Sequence, residues 1–431
     1  MLFRDIAIAD QNFAAQTHMN ILTKGNRIVY IGKDPVLDYS GPVYDGKNKI
    51  AMPGFFNVHC HASMTLLRGY GEGLPLHRWL TERMFPFEAL LTPEDIYWGA
   101  TLGIAEMIRS GAVSFTDMYM EMDGMCRAVE ESGIRANLSH GCSSTPETRF
   151  TDVNGYKGLQ YLMDYTKSCG HDRIIGDASI HAEYTSSDAL VEDIAAFAKQ
   201  NGLRMHLHLS ETKKEHDEAK QRRGGLTAGQ WFEQRGVFEV PVTAAHCVWI
   251  EDADISILAR NGATAVHCPS SNLKLGSGIA PLKCFLDAGV RVAIGTDGAA
   301  SNNNLNCLEE VNLASLLQKG SSMDPLFMGT AQTLQLACQN GAYSQGRADC
   351  GSLKEGNRAD IVVYDLDKPH MQPVFEPIAN VLYAAQADDI VLTMIDGKEV
   401  YRDGEFKTID IEKTKHHAAQ IAQNKLRILN A

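Results

Sequence analysis

The sequence lacks several patterns that would place the protein in other classes. Its ten cysteines are scattered and form no CxxC pair, and a chain of this length needs no disulfide framework. No apolar run approaches the roughly 20 residues that span a bilayer. The first residues, MLFRDIAIADQNF, show no basic segment followed by an apolar one. We therefore expect a cytoplasmic protein with reduced cysteines and without a membrane span.

Positive charge is also in short supply. Lys and Arg number 40 against 53 Asp and Glu, which gives a formal net charge of −13. Such a surface repels phosphate groups, so neither nucleic acid nor an anionic membrane is an expected partner.

The 431 residues, 44% of them hydrophobic, exceed what one small domain needs. The length fits a barrel of about 250 residues or more with a smaller accessory module.

The two ends of the chain share a pattern of short, strand-like apolar runs. The run at Asn26–Ile31 lies near the start, and residues 351–406 contain several similar runs. Asp396-Gly397 and Asp403-Gly404 are hairpin-turn signals between such runs. We predict that residues 1–50 and 351–431 form one small β-sandwich domain, which includes a terminal helix at Ile411–Leu429.

The middle of the chain alternates short apolar runs with longer amphipathic ones. This alternation predicts about eight strand–helix units and a parallel sheet with helices outside. A doubly wound open sheet is the second choice, but the GxGxxG that usually follows its first strand is missing. We therefore predict a (β/α)8 barrel over residues 51–350. The clearest strand-like runs are Ala112–Thr116, Ile174–Ile180, Leu203–Leu209, Val242–Ala245, Thr264–Val266 and Val290–Gly295.

Metal-binding residue types recur where these runs end, which is where barrel enzymes place their active sites. His59 and His61 in NVHCH are two residues apart, so both side chains lie on one face of a strand. His208 and then Glu211 follow in HLHLSE, with His206 placed deeper in the strand. Two further strands end at His246 and at Asp297, the latter in GTD. Three imidazoles and a carboxylate make an open site suited to Zn²⁺ or Fe²⁺.

Each of these residues taken alone has an ordinary alternative. A histidine such as His206 or His246 can be a hydrogen-bonded interior residue. Glu211 can stabilise a helix N-terminus, and Asp297 can cap the next segment. The cysteines next to these histidines (Cys60, Cys247 and Cys268) face the other way along a strand and are expected to pack behind the barrel. The joint occurrence of the set on separate strands is what indicates a metal site.

These motifs resemble the amidohydrolase superfamily and, within it, the methylthioadenosine/S-adenosylhomocysteine deaminases. The likeness covers nearly the whole chain, from PGFFNVHCHASMTLLRGY through HLHLSET and GTDGAASNNNLNCLEE to GSLKEGNRADIVVYDLDKPHMQP. It implies His59, His61, His208 and Asp297 as metal ligands, with Glu211, His246 and Asp297 in acid–base catalysis. It also implies that Glu88 and His181 contact a nucleoside, with Trp79 near the mouth of the site.

The resemblance further implies one divalent metal per chain. Members with two metals bridge them with a lysine on the fourth strand, and Ile174–His181 contains none. Zinc is the first choice, with iron or manganese as alternatives. The implied reaction is hydrolytic removal of the amino group from methylthioadenosine, adenosine, 5′-deoxyadenosine or S-adenosylhomocysteine. Another heterocycle (guanine, a pterin or an s-triazine) and a noncatalytic scaffold are the alternatives, and a homo-oligomer is left open.

The loop after the third strand bears on which nucleoside is preferred. Members of the resembled family that accept S-adenosylhomocysteine hold its amino-acid carboxylate with two arginines. Here His140 stands where the first would be, and Arg149 is the candidate for the second. A neutral histidine gives at most one hydrogen bond where an arginine gives a charged fork. The sequence therefore predicts a preference for uncharged 5′-substituents.

Overall fold

A computed structural model describes residues 1–144 and 148–431 of the chain. The strands fall into a sheet built from both ends of the chain and a barrel built from its middle. The strands of the terminal sheet are β1 (Leu2–Ala9), β2 (Ala15–Lys24), β3 (Arg27–Gly32), β4 (Val43–Asp45), β5 (Lys49–Pro53), β15 (Ile361–Asp365), β16 (Ile390–Ile395), β17 (Lys398–Arg402) and β18 (Glu405–Phe406). Those of the barrel are β6 (Phe55–Cys60), β7 (Ala112–Tyr119), β8 (Arg135–His140), β9 (Ile174–Gly176), β10 (Ala178–Ile180), β11 (Met205–Leu209), β12 (Val242–His246), β13 (Thr264–His267) and β14 (Arg291–Ile294).

The terminal sheet joins the two ends of the chain through β5. This strand pairs in parallel with β1 and antiparallel with β15, so the sheet runs in the order β18-β17-β16-β15-β5-β1-β2-β3, with β4 beside β1. The face of the sheet has its own apolar core, which includes Phe3, Ile21, Ile361 and Leu392. Because β5 extends to Pro53, the sheet continues past residue 50. The division at residues 50 and 351 stays a prediction.

Both Asp-Gly pairs form tight hairpin turns, as predicted. Asp396 and Gly397 connect β16 to β17 with φ values of +53° and +72°. Asp403 and Gly404 connect β17 to β18 with φ values of +51° and +88°. Two consecutive residues with positive φ define the type I′ turn, whose twist matches that of the adjoining strands.

The barrel is closed between its last and first strands. The parallel ladders run β6-β7-β8-β9 and β10-β11-β12-β13-β14, and β9 and β10 are two halves of one strand separated by Asp177. The Asp297 amide, just past β14, donates to the His59 carbonyl in β6 at 3.0 Å. A Cβ at Gly295 would lie 2.9 Å from the His59 backbone, so only glycine permits this close approach. The predicted α/β fold class, a barrel with a terminal β-module, is confirmed.

Helices surround the barrel and cover its hydrophobic strands, and β7 is buried along its whole length. They are α1 (Leu76–Trp79), α2 (Phe85–Glu88), α3 (Pro93–Arg109), α4 (Met122–Ser132), α5 (Asn154–Ser168), α6 (Asp188–Asn201), α7 (Lys213–Arg222), α8 (Ala228–Gln234), α9 (Asp252–Arg260), α10 (Pro269–Lys274), α11 (Leu282–Asp287), α12 (Cys307–Ser322), α13 (Thr330–Gln335), α14 (Gly341–Ser344), α15 (Pro377–Tyr383) and α16 (Ile411–Leu429).

The terminal helix α16 has the predicted bounds, and it packs on the barrel. Lys425 of α16 pairs with Asp95 of α3 at 2.7 Å and donates to the Leu90 carbonyl. His417 stacks on Trp98, with ring centroids 4.1 Å apart. Over residues 1–144 and 148–431, no helix combines the length and apolarity needed to cross a bilayer.

Candidate metal centre and active-site cavity

Three histidines and one aspartate converge at the C-terminal ends of the barrel strands. His59 and His61 lie at the end of β6, His208 lies in β11, and Asp297 follows β14. The Oδ1 atom of Asp297 is 3.4 Å from Nε2 of His59 and 3.4 Å from Nε2 of His61. The Nε2 atoms of His208 and His61 are also 3.4 Å apart. Three strands of the barrel therefore deliver four potential ligand side chains to one point.

Main-chain carbonyls fix the orientation of two of these rings. Nδ1 of His61 lies 2.6 Å from the Met118 carbonyl oxygen, and Nδ1 of His208 lies 2.7 Å from that of His181. A carbonyl can only accept a hydrogen bond, so both Nδ1 atoms carry the proton. Each Nε2 then presents a lone pair to the centre. Two lone pairs that face each other at 3.4 Å repel, and a cation between them removes that repulsion.

His59 completes the fit to a divalent cation. Its Nδ1 lies 2.9 Å from Nε2 of His206, which is buried deeper in β11, and its own Nε2 has no hydrogen-bond partner among the described residues. Burial lowers the pKa of His59 to about 4, so the ring is neutral at physiological pH. Two sets of side chains in the described residues have ligand atoms close enough to share a metal: His59, His61 and His208, and His59, His246 and Asp297. Neutral imidazoles with one carboxylate are the donor set that zinc prefers.

Asp297 is held in a conformation that few aspartates adopt. Its φ of +61° lies in the left-handed region, which costs on the order of 1 kcal/mol for a non-glycine residue. Hydroxyls of Ser271 and Ser301 donate to Oδ2 at 2.6 and 2.8 Å. Burial alone would raise the pKa of Asp297, but its interactions with His59, which lies 3.4 Å away, and with His246 and His61 outweigh burial and hold the pKa well below its ordinary value. The carboxylate is therefore ionised.

Glu211 and His246 lie next to each other beside this centre. Oε2 of Glu211 is 3.9 Å from Nε2 of His246, and Nδ1 of His246 bonds to Oδ1 of Asn272 at 2.9 Å. Burial raises the pKa of Glu211 against the opposing charge of His246. Burial lowers the pKa of His246, but the carboxylates of Glu211 and Asp297 outweigh it, so the net shift is upward. Both shifts favour the protonated forms, which suits a pair of groups that exchange protons.

A second buried acid, Glu215, supports Glu211 from α7. Its Oε2 accepts from the Glu211 amide at 2.8 Å, and it completes a capping box with Thr212. Burial, together with the charge of Glu211, raises the pKa of Glu215 to about 7. An acid whose pKa is higher in the folded state binds more protons when folded, so its contribution to stability falls as pH rises from about 4.5 to about 7.

Glu215→Gln is therefore expected to become more stable relative to the wild type as pH rises from 5 to 8. Glutamine keeps an oxygen for the two backbone amides but remains neutral, and the gain at pH 8 is on the order of 3 kcal/mol. The measurement is the difference in melting temperature between variant and wild type across this range. Asp217→Asn, an exposed acid of the same helix, is the matched control. A difference that stays constant with pH for Glu215→Gln would contradict the assignment.

A cavity of about 320 Å³ opens above the centre. Four of the five residues that the sequence suggested for substrate contact line it: Trp79, Glu88, His140 and His181. The Tyr119 hydroxyl donates to Oε1 of Glu88 at 2.8 Å, and burial raises the pKa of Glu88. Burial lowers the pKa of His181 to about 4, and it also lowers that of His140. Apolar side chains make up much of the remaining wall, including Met64, Met118, Met120, Leu76 and Phe85.

Arg149 is the one suggested substrate residue that the structure does not bring to this cavity. Its side chain is 61% exposed and pairs with Asp193 of α6 at 2.5 Å. Arg149 is absent from the described residues that line the cavity. Asp193 therefore pairs with the positive charge of Arg149 that the sequence analysis assigned to a substrate carboxylate. The two residues are distant in sequence and meet only in the folded chain.

Residues 50–400 match the amidohydrolase family. The chain belongs to this family. A curated relative named 5-methylthioadenosine/S-adenosylhomocysteine deaminase, from Acetivibrio thermocellus, is 41% identical over 92% of this chain and 91% of its own length. A zinc-bound crystal structure of an adenosine deaminase from Xanthomonas campestris superposes with a TM-score of 0.91 at 28% identity, covering 99% of this chain and 98% of that one. The zinc complex of an atrazine chlorohydrolase from Arthrobacter aurescens shares the fold, with a TM-score of 0.89 at 22% identity over 98% and 99% of the two chains.

Several residues around the site of this amidohydrolase escaped the sequence reasoning. Ser271, Asn272 and Ser277 hold Asp297, His246 and Glu211 respectively, and all three are buried. They come from the CPSSNLKLGS segment that follows β13. A cluster of small polar residues directly after a barrel strand was the signal that could have identified them. Tyr119, the partner of Glu88, gave no such signal because it ends an apolar strand.

Proposed function

We propose that this amidohydrolase is a hydrolytic deaminase of adenosine-type nucleosides, which releases ammonia and gives the inosine-type product. The observation that carries the proposal is the convergence of three imidazoles and a carboxylate beside the Glu211–His246 pair, all facing one cavity. The names of the curated relatives supply the substrate class.

His59, His61, His208 and Asp297 would hold one divalent cation per chain, with zinc as the first candidate. When bound, such a cation lowers the pKa of a water that it polarises and so supplies a nucleophile at neutral pH. His206 and the carbonyls of Met118 and His181 hold the Nδ1 atoms of the three rings and would leave each Nε2 free to bind the cation. The run Ile174–His181 contains no lysine, which supports a single metal.

The proton transfers are assigned to Glu211, His246 and Asp297. Asp297 and His246 accept the proton of the attacking water as its oxygen adds to the amino-bearing carbon. Glu211 donates a proton to the adjacent ring nitrogen, which makes that carbon more electrophilic. The raised pKa of Glu211, caused by burial, favours the protonated form that this step requires. The proton that Asp297 and His246 took from the water then passes to the amino group, the C–N bond breaks and ammonia leaves, while the added hydroxyl loses its proton to the Glu211 carboxylate and becomes the carbonyl of the product.

The cavity wall is assigned to the nucleoside. Tyr119 occupies one oxygen of the Glu88 carboxylate, and the other can accept a hydrogen bond from a hydroxyl of the nucleoside. His181 and Trp79 flank the same space. We retain a cytoplasmic location, because all ten cysteines are free and this is typical of a reducing compartment.

Ammonia release from a substrate panel tests the proposal. Methylthioadenosine, adenosine and 5′-deoxyadenosine should be preferred over S-adenosylhomocysteine by about 10- to 150-fold in kcat/KM, the value of one charge-assisted hydrogen bond. The reason is that Arg149 is paired elsewhere and His140 is neutral. Nδ1 of His140 donates to the Gly141 carbonyl, so Nε2 carries a lone pair and offers a carboxylate no hydrogen.

Two substitutions at position 140 give the matched comparison. His140→Arg should shift the ratio toward S-adenosylhomocysteine, whereas His140→Gln, which adds no charge, should leave it unchanged. The preference is wrong if S-adenosylhomocysteine is the best substrate of the panel. The nucleoside assignment itself is wrong if guanine, a pterin or an s-triazine is turned over and the nucleosides are not. A scaffold would release no ammonia from any of them.

A further inference from the structure

Glu183 is a fully buried carboxylate in the loop that follows the fourth barrel strand. It lies two residues after His181 and opens the single helical turn Glu183–Thr185. Glu183 takes no part in the proton transfers described above. Its carboxylate pairs with arginines at the end of α7 and is not among the described residues that line the cavity. Burying an ionised group is costly unless charged partners compensate for the lost hydration.

Two consecutive arginines at the end of α7 provide that compensation. Arg222 approaches Oε2 of Glu183 at 2.6 Å, and Arg223 approaches Oε1 at 2.6 Å. Arg223 also donates to the Ser186 carbonyl at 3.0 Å and to Asp188 at 3.0 Å. Its guanidinium lies 3.8 Å from the ring centroid of the buried Trp231, which restricts its position further. The loop is thus tied to α7 at both its side chain and its main chain.

The residues that share this loop with Glu183 face the substrate cavity. His181, Tyr184 and Thr185 all line it. The Thr185 hydroxyl lies 2.9 Å from Nδ1 of His181 and therefore sets the orientation of that ring. The Thr185 carbonyl accepts from the Ser144 amide at 2.9 Å. A displacement of the turn would move His181, Tyr184 and Thr185 together.

The other end of α7 begins directly after Glu211. Thr212 caps the helix, and Glu215 in its first turn accepts from the Glu211 amide. The helix therefore contacts the Glu211 segment at its N-terminus and the His181 loop at its C-terminus. A 10-residue helix is about 15 Å long, and its backbone hydrogen bonds resist a change in that length. It can hold the two segments at a fixed separation.

We propose that Glu183 is a positioning residue, which through Arg222, Arg223 and α7 fixes His181 and Tyr184 at a set distance from Glu211. The proposal rests on the function proposed above. A buried ion pair is weak evidence for stability, because an apolar packing of the same volume is often as stable. The ion pairs of Glu183 are directional, and they hold the loop that carries the cavity residues. For this reason we assign Glu183 a role in positioning that loop and not in stability.

Glu183→Gln tests the proposal, since glutamine keeps the shape and removes the charge. We expect KM for the preferred nucleoside to rise about 10-fold while kcat changes less than about threefold, as for loss of substrate binding without loss of chemistry. In a His181→Asn background the same change should alter KM less than about twofold, because Glu183 acts on substrate binding through the position of His181. Arg223→Lys, which keeps the charge but loses the fork, should show the same pattern more weakly.

Asp396→Asn is the matched control for lost ion pairing. Asp396 pairs at 2.5 Å with Arg135, a residue only 1% exposed at the start of β8, and Asn-Gly keeps the type I′ turn. This variant should lose stability without a change in KM. Equal effects of Asp396→Asn and Glu183→Gln on KM, or additivity of Glu183→Gln with His181→Asn, would overturn the proposal.

Hydrogen–deuterium exchange gives a readout that does not depend on the substrate. Glu183→Gln should accelerate exchange in the segment that contains residues 181–186, and Asp396→Asn should not. Unchanged exchange in that segment would overturn the positioning role even if the protein acts on another heterocycle. A wild type that turns over no nucleoside would instead refute the function proposed above, and the two failures are therefore distinguishable.

Discussion

Glu211→Gln is expected to lower turnover by about 10²–10⁴-fold, the usual contribution of a positioned general acid or base. Glutamine has the same shape and can still accept the hydrogen bond that the Ser277 hydroxyl donates to Glu211 at 3.3 Å. It has no proton to deliver to a ring nitrogen. Burial raises the pKa of Glu211 and so favours the protonated acid. Because the substitution keeps the shape and removes only the acidic proton, the loss should fall on the chemical step and not on substrate binding.

Steady-state kinetics and metal analysis of the same preparation check this expectation. The metal content of Glu211→Gln should equal that of the wild type, because Glu211 is outside the two ligand sets. Asp217→Asn, an exposed acid on α7, should keep wild-type turnover. Loss of metal from Glu211→Gln would make Glu211 a ligand, and near-normal turnover would remove it from the mechanism.

Chelation is expected to abolish activity and leave the barrel folded. The candidate ligands lie on β6, β11 and directly after β14, and their strands are held by ladders and by the Asp297–His59 backbone bond. None of these contacts requires a cation, so the far-ultraviolet circular dichroism should be unchanged. Elemental analysis of the replete protein should give one divalent ion per chain. Zinc, iron and manganese added back separately should identify which ion restores turnover.

Asp297→Asn separates a ligand role from a structural one. The amide keeps the shape of the side chain but removes the charge that faces the imidazoles. Metal affinity should therefore fall by about 10-fold or more, as is usual when a residue that supports a metal site is lost. Ser301→Ala, which removes one donor to Asp297, is the milder comparison. A stoichiometry near two would contradict the single-metal assignment, and unfolding on chelation would contradict the independence of the barrel.

Much of the fold was accessible from sequence because its signals are local. The two Asp-Gly turns, the terminal helix and the strand–helix alternation each depend on residues that are close in the chain. The barrel strands also end near the predicted positions, since His59, His208 and His246 mark the points where apolar runs stop. The continuation of the terminal sheet to Pro53 was not visible. It depends on the pairing of β5 with β15, more than 300 residues away.

The cavity was less accessible because its contacts are non-local. Glu88 and Tyr119 are separated by 31 residues and meet only in the folded chain. The sequence around Glu88 alone does not distinguish a residue that contacts substrate from a solvated acid. Arg149 has the charge that a carboxylate binder needs, but Asp193, which is 44 residues away, pairs with it. Glu183 stands in a loop where an acid is usually solvated, and only the packing of α7 buries it. Pairings of this kind follow from the tertiary structure and leave no periodic pattern.

The main-chain contacts of His61 and His208 affect how the protein can diverge. The Met118 and His181 carbonyls that orient these rings belong to the backbone and so remain when either side chain is replaced. The cavity wall, in contrast, consists of side chains such as Met64, Phe85 and His140. Mutations can therefore reshape the wall while the ring orientations of the metal centre persist. A library restricted to wall positions should yield variants with altered heterocycle preference at unchanged metal content, so that new specificities can arise without an inactive intermediate.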